Sequence, residues 1–326
     1  MMTQKSVIFL NNPSFFYTMD DEIVVGDKPK RKGIRYIYDK KYKALLIIPF
    51  LLLILAIAQI GWQVAATGDF LNKGVSLKGG LTISVMKPTD IHELETHLNE
   101  KFPAADISVR ALSQAGKQIG ITIDASDIDS EPLLDEIQAK LGKLEQGEYS
   151  VEVMGSSLGA SFFKETIRAV IIAFVLMGIV VFIYFRVPIP SIAVILAAVS
   201  DIIVTLAIVN ILGIKLSTAG IAAFLMLIGY SVDTDILLST RVLKRKSGTP
   251  LDGTISAMKT GIIMTITTCA AVTIALVFSQ SIILKQIMLI LLIGLLVDLP
   301  NTWLQNAGIL RWYLERKQRK REQQNV

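Results

Sequence analysis

Six long apolar runs dominate this sequence of 326 residues. Each run is close to the length of about 20 residues that a helix needs to cross the ~30 Å hydrocarbon layer of a bilayer. Hydrophobic residues make up 52% of the chain, and they are concentrated in these runs. The sequence therefore predicts a polytopic α-helical membrane protein with six transmembrane helices. The predicted spans are Ala44–Ala66, Ile167–Phe185, Ile189–Leu212, Leu216–Ser239, Thr260–Ser279 and Ile282–Leu304.

Charge is distributed unevenly between the two ends of these spans. Residues 67–160 carry 15 acidic and 8 basic side chains, whereas basic residues collect before the first span and after the fourth and the sixth. Basic flanks stay on the cytoplasmic side during insertion. Both termini are therefore predicted to be cytoplasmic and residues 67–160 extracytoplasmic, in the cell membrane. The basic groups include Lys28, Lys30, Arg31, Lys32, Arg35, Lys40, Lys41, Lys43, Lys244, Arg245, Lys246, Arg311, Arg316, Lys317, Arg319, Lys320 and Arg321.

Several classes of function find no support in the sequence. The basic clusters adjoin the spans and lack interleaved aromatic residues, which favours contact with membrane lipids over nucleic acid. The single cysteine, Cys269, cannot form a disulfide within the chain. His92 and His97 have no third ligand nearby, so no metal site is expected. No nucleotide fingerprint or nucleophile–base pair is present, so neither a cofactor nor an enzymatic activity is predicted.

One polar segment, residues 67–160, is long enough to bury a small core. Its hydrophobic periodicity predicts the order β-α-β-β-α-β, that of a ferredoxin-like α+β domain between transmembrane helices 1 and 2. Gly79 and Gly80 fall on the first predicted strand, where a bulge or a close backbone approach is favoured over a ligand loop. The predicted elements are strand Val75–Met86, helix Ile91–Phe102, strands Ile107–Leu112 and Gln118–Asp124, helix Pro132–Leu141 and strand Tyr149–Met154.

The domain organisation follows from the spans and this polar segment. The stretch before the first span is polar and mixed, so a cytoplasmic lead with little order is expected. A basic tail follows the last span. The predicted units are a cytoplasmic N-terminal segment (1–43), the first transmembrane helix (44–66), the extracytoplasmic domain (67–160), a five-helix membrane bundle (161–310) and a basic cytoplasmic tail (311–326).

Four aspartates lie within the predicted spans: Asp201, Asp233, Asp235 and Asp298. A charge inside a bilayer costs roughly 2.5–3.5 kcal/mol on insertion scales, so such residues persist mainly where they handle ions or protons. Asp233 and Asp235 are two residues apart and therefore point to different faces of one helix. One of them could face a proton path while the other pairs with a neighbouring helix. The four aspartates are the predicted proton relay.

No basic residue lies deep in a span, so the aspartates lack an obvious counter-ion. Lys259 and Arg241, near the cytoplasmic ends, are the possible charge partners. The structural alternative is a fixed set of hydrogen bonds that hold the helices together, since polar side chains often do this in membranes. The hydroxyls considered for that role are those of Ser200, Thr205, Thr265, Thr267 and Thr268.

The fourth span contains a specific motif, Gly229-Tyr230-Ser231-Val232-Asp233-Thr234-Asp235. Together with the six-span layout, it resembles the archaeal-type SecF family of the SecDF protein-export complex, within the resistance-nodulation-division superfamily. The resemblance covers residues 44–313. Its other motifs are Gly74–Gly80, with Gly79 and Gly80, after the first span, Gly155–Gly159 before the second, and Asn301–Trp303 and Asn306–Tyr313 towards the end of the sixth.

This resemblance implies a subunit that works with SecD beside the SecYE channel. It would use the proton-motive force to assist unfolded secretory polypeptides as they emerge. Carboxylates of the fourth span carry the proton coupling in the superfamily, and Asp233 matches the position of that acid. Asp235 extends the match in the archaeal manner. Bacterial relatives place an arginine in the fifth span near Thr260, where this chain offers Lys259.

Two other functions are open at the level of sequence. A structural scaffold would stabilise SecD and the channel through carboxylates that never titrate. A small-molecule or lipid transporter of the same superfamily would need paired halves for alternating access. A single module with six spans argues against that transporter.

Overall fold

The structure is a computed structural model that describes residues 41–114, 117–145, 147–243, 250–279 and 281–324. The predicted N-terminal segment, 1–43, lies almost entirely outside the described residues, as does the basic run 244–246. The described chain forms two parts. One is a bundle of long apolar helices, and the other is a four-stranded sheet covered by two helices.

Six helices in the described part of the chain are long and apolar enough to cross a membrane, which confirms the predicted number. The second helix begins earlier than predicted, at Ser156 and not at Ile167. Its first turns carry Lys164, Glu165 and Arg168, so hydropathy detected only the apolar part of a longer helix. The candidate spans are Lys41–Thr67, Ser156–Phe185, Pro188–Ile211, Thr218–Leu243, Leu251–Phe278 and Ile283–Lys320.

The third and fourth spans form the centre of the bundle and are buried over a larger share of their length than the other described spans. Small residues such as Ala193, Ala197 and Ala198 are buried on the third span and allow close approach of its neighbours. The outer helices instead present large apolar side chains, among them Ile54 and Ile183, to the surroundings. Small residues between the helices and large apolar residues on the outside are the distribution expected for helices that pack within lipid.

The sixth span is not a uniform α-helix. It is α-helical over Ile282–Pro300, widens into a π-helix over Asn301–Asn306 and returns to an α-helix over Ala307–Gln324. Pro300 has no N–H to donate, so it interrupts the regular ladder where the wider turn begins. Four polar side chains of this π-turn are completely buried in the bundle: Asn301, Thr302, Gln305 and Asn306.

The sheet belongs to a module whose strands and helices follow the order β-α-β-β-α-β. The elements are β1 (Gly80–Val85), the helix Ile91–Lys101, β2 (Asp106–Gln114), β3 (Lys117–Ser126), the helix Ser130–Leu141 and β4 (Tyr149–Met154). The spatial strand order is β2-β3-β1-β4, and each neighbouring pair is antiparallel. Apolar side chains of one sheet face, such as Ile83 and Ile123, are buried beneath the two helices.

The first predicted strand, Val75–Met86, is wrong in its first third. Val75–Lys78 forms a short helix that begins after Gly74, and the strand starts only at Gly80. The apolar residue Leu77 explains the misreading, because it is buried against the membrane bundle and not in the sheet. Alternating hydrophobicity alone does not say which of two cores an apolar side chain joins.

Gly79 and Gly80 make the close backbone approach that was predicted for them. Both have positive φ, +92° and +125°. A Cβ on Gly79 would lie 2.4 Å from Cα of Ser156, at the start of the second span, and one on Gly80 would lie 2.3 Å from the carbonyl oxygen of Ala125. Gly79 therefore lets the module sit directly on the second span, whereas Gly80 lets two neighbouring strands of the sheet approach closely.

Backbone hydrogen bonds also tie the module to the loop between the third and fourth spans. The N–H of Gly74 donates to the carbonyl of Leu216, and the N–H of Leu216 donates to the carbonyl of Asn72, both at 2.7 Å. The side chain of Asn210, at the end of the third span, donates to the carbonyl of Phe70 at 3.0 Å. The module is thus fastened to the bundle at this loop and at the second span.

A cavity of ≈310 Å³, lined by both polar and apolar groups, lies between the uncovered face of the sheet and the ends of the spans. The sheet contributes alternate residues that include Thr82, Thr122 and Asp124, and the bundle contributes Ser217 and Gln286. The carboxylate of Asp124 accepts from Thr82 at 2.9 Å and also from the guanidinium of Arg110. This face of the sheet is therefore separated from the bundle by a space lined with hydrogen-bonding groups.

We expect Gly79→Ala to destabilise the protein more than Gly147→Ala. Both glycines have positive φ, but nothing lies within 4 Å of a Cβ at Gly147. The Gly147→Ala control therefore has only the cost of placing alanine at a positive φ. Gly79→Ala has that cost and, in addition, a backbone clash worth about 1–3 kcal/mol. Thermal unfolding of the detergent-solubilised variants measures the difference. Equal melting temperatures would show that the approach of Gly79 to Ser156 is not required.

Candidate functional site

Three of the four intramembrane aspartates meet in the centre of the bundle. Asp201 comes from the third span, Asp235 from the fourth and Asp298 from the sixth, and each is at most 1% exposed. Their hydrogen-bond partners come largely from one stretch, the π-turn of the sixth span. We refer to these three side chains as the aspartate cluster.

Asp201 is held through both of its carboxylate oxygens. The amide nitrogen of Asn301 donates to Oδ1 at 2.7 Å, and the hydroxyl of Ser231 donates to Oδ2 at 2.5 Å. An ionised carboxylate can only accept hydrogen bonds, and donors to it form the stronger class of such bonds. Asp201 therefore links the third span to the fourth and to the sixth.

Asp235 is held through one oxygen only. The amide nitrogen of Asn306 donates to Oδ1 at 2.8 Å, whereas Oδ2 is buried without a hydrogen-bond partner. Asp298 accepts from the hydroxyl of Thr302 at 2.9 Å. Of the three carboxylates, Asp235 thus combines complete burial with an oxygen that has room for a new partner.

The π-turn supplies these donors because its wider helix brings several successive polar side chains inward. Asn301, Thr302 and Asn306 reach the carboxylates, and Gln305 donates to the hydroxyl of Ser200 at 3.2 Å. Single π-turns within α-helices occur frequently at functional sites. Trp303, also in the turn, packs with Leu238 of the fourth span in an adjoining apolar cluster.

No basic side chain in the described ranges contacts the aspartate cluster. The predicted partner Arg241 instead donates to the carbonyl and hydroxyl oxygens of Ser256, at 3.0 and 2.9 Å. The other, Lys259, is exposed. Burying a carboxylate without a paired cation is costly, so three together create a strong local demand for positive charge. A proton is the smallest cation that meets it.

Asp233, the remaining predicted relay residue, lies outside the aspartate cluster. Its side chain is exposed on the opposite face of the fourth span and has no hydrogen bond or ion pair with the described residues. The same open face presents Gly229 and Tyr230, the latter 42% exposed. Asp233 and Asp235 therefore do point to different faces, as their spacing predicts, whereas Ser231 faces inward to Asp201.

The hydroxyls considered as partners in the structural alternative are mostly engaged elsewhere. Those of Thr265, Thr267 and Thr268 donate to carbonyls of their own helix, and that of Thr205 has no hydrogen-bond partner. Ser200 donates to its own helix and accepts from Gln305. The partners that sequence reasoning missed are the amides of the sixth span. The sequence signal that could have identified them is the stretch Asn301-Thr302-Trp303-Leu304-Gln305-Asn306, which places four polar residues inside an otherwise apolar segment.

Comparison with known proteins agrees with this architecture. Residues 134–316 match the family described as protein export membrane protein SecD/SecF, C-terminal. The protein-export membrane protein SecF of Methanocaldococcus jannaschii is 41% identical over 287 residues, covering 84% of this chain and 96% of the relative. The protein of the same name from Pyrococcus furiosus is 36% identical over 295 residues, which cover 90% of this chain and 98% of the relative.

Two solved structures share the fold. The crystal structure of SecDF from Thermus thermophilus, a translocon-associated membrane protein, superposes with a TM-score of 0.69 at 18% identity, over 88% of this chain. A second SecDF structure, in a super-membrane-facing form, superposes with a TM-score of 0.53 at 21% identity, over 90% of this chain. The matches cover 39% and 40% of those longer chains, so this chain spans about two fifths of their length.

The chain is therefore a multi-pass membrane protein of the SecD/SecF type, with a small antiparallel sheet between its first two spans. The identity and coverage of the archaeal relatives then narrow the class to one family. The chain belongs to the SecF family of protein-export membrane proteins.

We expect Ser231→Ala to destabilise the bundle while Ser239→Ala does not. Ser231 donates to the buried carboxylate of Asp201, whereas Ser239 is equally buried on the same helix and has no hydrogen-bond partner. Losing a bond to a buried charge costs about 1–3 kcal/mol. Unfolding of both variants in detergent tests this, and a Ser231→Ala protein as stable as its Ser239→Ala control would contradict it.

Proposed function

We propose that this chain is the SecF subunit of a SecDF-type complex and uses the proton-motive force to assist Sec-dependent export. The aspartate cluster is the observation that carries the proposal. Three buried carboxylates with no cation beside them are suited to binding and releasing protons, and intramembrane carboxylates commonly serve as proton relays. The four predicted relay residues divide into Asp235, Asp201 and Asp298 inside the bundle and Asp233 on its surface.

The open face of the fourth span supports a partner within the membrane. An exposed carboxylate at Asp233 would be costly against lipid, so we propose that another membrane protein covers it. Gly229 leaves space for a helix to approach closely beside it. SecD is the partner we assign to this face, because the SecDF chains that share the fold are more than twice as long as this chain. The SecYE channel would lie next to the complex, and emerging unfolded polypeptides would be its substrates.

We place the parts of the chain in the membrane as follows. Both termini are cytoplasmic, and the β-α-β-β-α-β module, which we assign to the ferredoxin-like type, is extracytoplasmic. The order of its elements and the antiparallel strand order β2-β3-β1-β4 support the assignment. The units are the cytoplasmic segment 1–43, the first helix 44–66, the outer domain 67–160, the bundle 161–310 and the basic tail 311–326.

Proton uptake can reach the module through the helices that meet at the cluster. Asp201 and Asp235 lie on the third and fourth spans, and the loop between these spans is bonded to the module at Gly74. A change in how the two spans pack would therefore be passed to the sheet. The module would move relative to the membrane and hold or release an emerging polypeptide.

A scaffold without proton coupling is the second candidate, and one observation favours it. Asp201 has both oxygens bonded, to Asn301 and Ser231, as a purely structural carboxylate would. A scaffold of this kind would hold SecD and the channel together through fixed helix packing. It predicts that neutral substitutions in the cluster leave gradient-dependent export unchanged.

Asp235→Asn should abolish the stimulation of export by a proton gradient while leaving the protein inserted. The substitution keeps the shape of the side chain but removes the group that binds a proton. Export into or out of membrane vesicles, measured with and without an imposed gradient, gives the stimulation directly. Asp129→Asn, on an exposed aspartate of the module that makes no side-chain capping bond, is the matched control. Full stimulation in Asp235→Asn would favour the scaffold.

Asp233→Ala should weaken the association with SecD. Polar contacts between membrane helices are worth about 1–2 kcal/mol, so we expect roughly a tenfold loss of affinity. Co-purification of SecD with the tagged variant measures it. Ile183→Ala is the control, because Ile183 is an exposed apolar residue on the second span. Unchanged recovery of SecD with the Asp233 variant would rule out this face as the site of contact.

A further inference from the structure

The amide of Asn306 uses only its nitrogen towards Asp235. That nitrogen donates to Oδ1 of Asp235 at 2.8 Å, while the amide oxygen is buried without a hydrogen-bond partner. An ionised carboxylate accepts only, so it has no donor for the amide oxygen. A protonated carboxyl carries an O–H donor on one oxygen and keeps the other oxygen as an acceptor.

A proton on Oδ2 of Asp235 would complete this pair. Oδ1 would go on accepting from the amide nitrogen, and the O–H of Oδ2 would donate to the amide oxygen of Asn306. The last torsion of an asparagine is broad and roughly two-fold, so the amide can adjust to this second bond without a new backbone conformation. Since Oδ2 of Asp235 and the amide oxygen of Asn306 are both buried and unpartnered, one proton would give each of them a hydrogen bond.

We propose that Asn306 is the positioning residue that senses the proton on Asp235, by accepting the O–H of the protonated carboxyl at its free amide oxygen. This inference rests on the proposed proton coupling and names the group that responds first. The proton comes from one side of the membrane and binds Oδ2 of Asp235, which then donates to Asn306. This second bond is lost when the proton leaves, and no other co-reactant is needed.

The neighbouring pair shows why the response belongs to Asp235. The amide of Asn301 also has a free oxygen, but its partner Asp201 is already bonded at both oxygens, by Asn301 and Ser231. A proton on Asp201 would have to displace one of these donors. Asp235 has an oxygen that can take a proton without breaking an existing bond.

The electrostatic surroundings of Asp235 are simple. The titratable groups that face it are Asp201 from the third span and Asp298 from the sixth. The described parts of the second and fifth spans place no charged side chain against it, and Arg241 on its own helix is bonded to Ser256. The charge that Asn306 senses is therefore shared among three carboxylates only.

The position of Asn306 lets a change in its hydrogen bonding affect the helix. It is the last residue of the π-turn, where backbone bonding departs from the regular α-helical ladder. Directly after it, Ala307 and Leu310 pack with Leu238 and Val242 of the fourth span. A rearrangement at Asn306 would thus be felt where the fourth and sixth spans pack together.

Infrared difference spectra between high and low pH test the proposal on the full-length chain in lipid vesicles. We expect a protonated-carboxyl band that is lost in Asp235→Asn. We also expect asparagine side-chain amide bands that are lost in Asn306→Leu and kept in Asn301→Leu. The two leucine variants are matched, because each removes one buried amide and one bond to a carboxylate from the same π-turn.

Isotopic labelling of asparagine in the wild-type chain makes the test independent of how the variants fold. A titrating carboxyl band with no label-sensitive amide change would overturn the role of Asn306 and leave the proposed function standing. Amide bands that survive in Asn306→Leu would overturn it as well. Absence of any titrating carboxyl band would overturn both this inference and the proposed proton coupling.

Discussion

The bundle depends on burying three carboxylates without a cation and still giving them hydrogen-bond donors. One short segment of the sixth span makes this possible, because its π-turn directs Asn301, Thr302 and Asn306 at the carboxylates of three spans. Apolar packing around the cluster would hold any six helices together. The polar contacts determine which faces meet, since a different register would leave charges in a dry interior.

The β-α-β-β-α-β module is coupled to this interior through few but specific contacts. Gly79 lies so near Ser156 that no side chain fits between them. The backbone of Leu216 accepts a hydrogen bond from Gly74 and donates one to Asn72. Both contacts involve backbone, which cannot be rearranged as easily as a side chain. The second span and the loop between the third and fourth spans are therefore routes by which a movement in the bundle would reach the sheet.

Much of this arrangement could be predicted from the sequence, and the failures have physical causes. Runs of about 20 apolar residues give the number of spans because lipid tolerates little else. The strands and helices of the module follow from periodicity, except at Leu77, whose burial belongs to the other core. Asp201, Asp235 and Asp298 could be identified as intramembrane charges, but their partners could not. Hydropathy does not report which amides a widened helical turn will direct inward.

The cavity beneath the sheet has a mechanical consequence. Its walls carry hydrogen-bonding groups, such as Thr122 of the sheet and Gln286 of the bundle, among apolar ones. An open space of this kind leaves the module room to tilt, whereas sliding would break the backbone contacts at Gly79 and Gly74. Those contacts therefore define the hinge about which we expect the module to tilt.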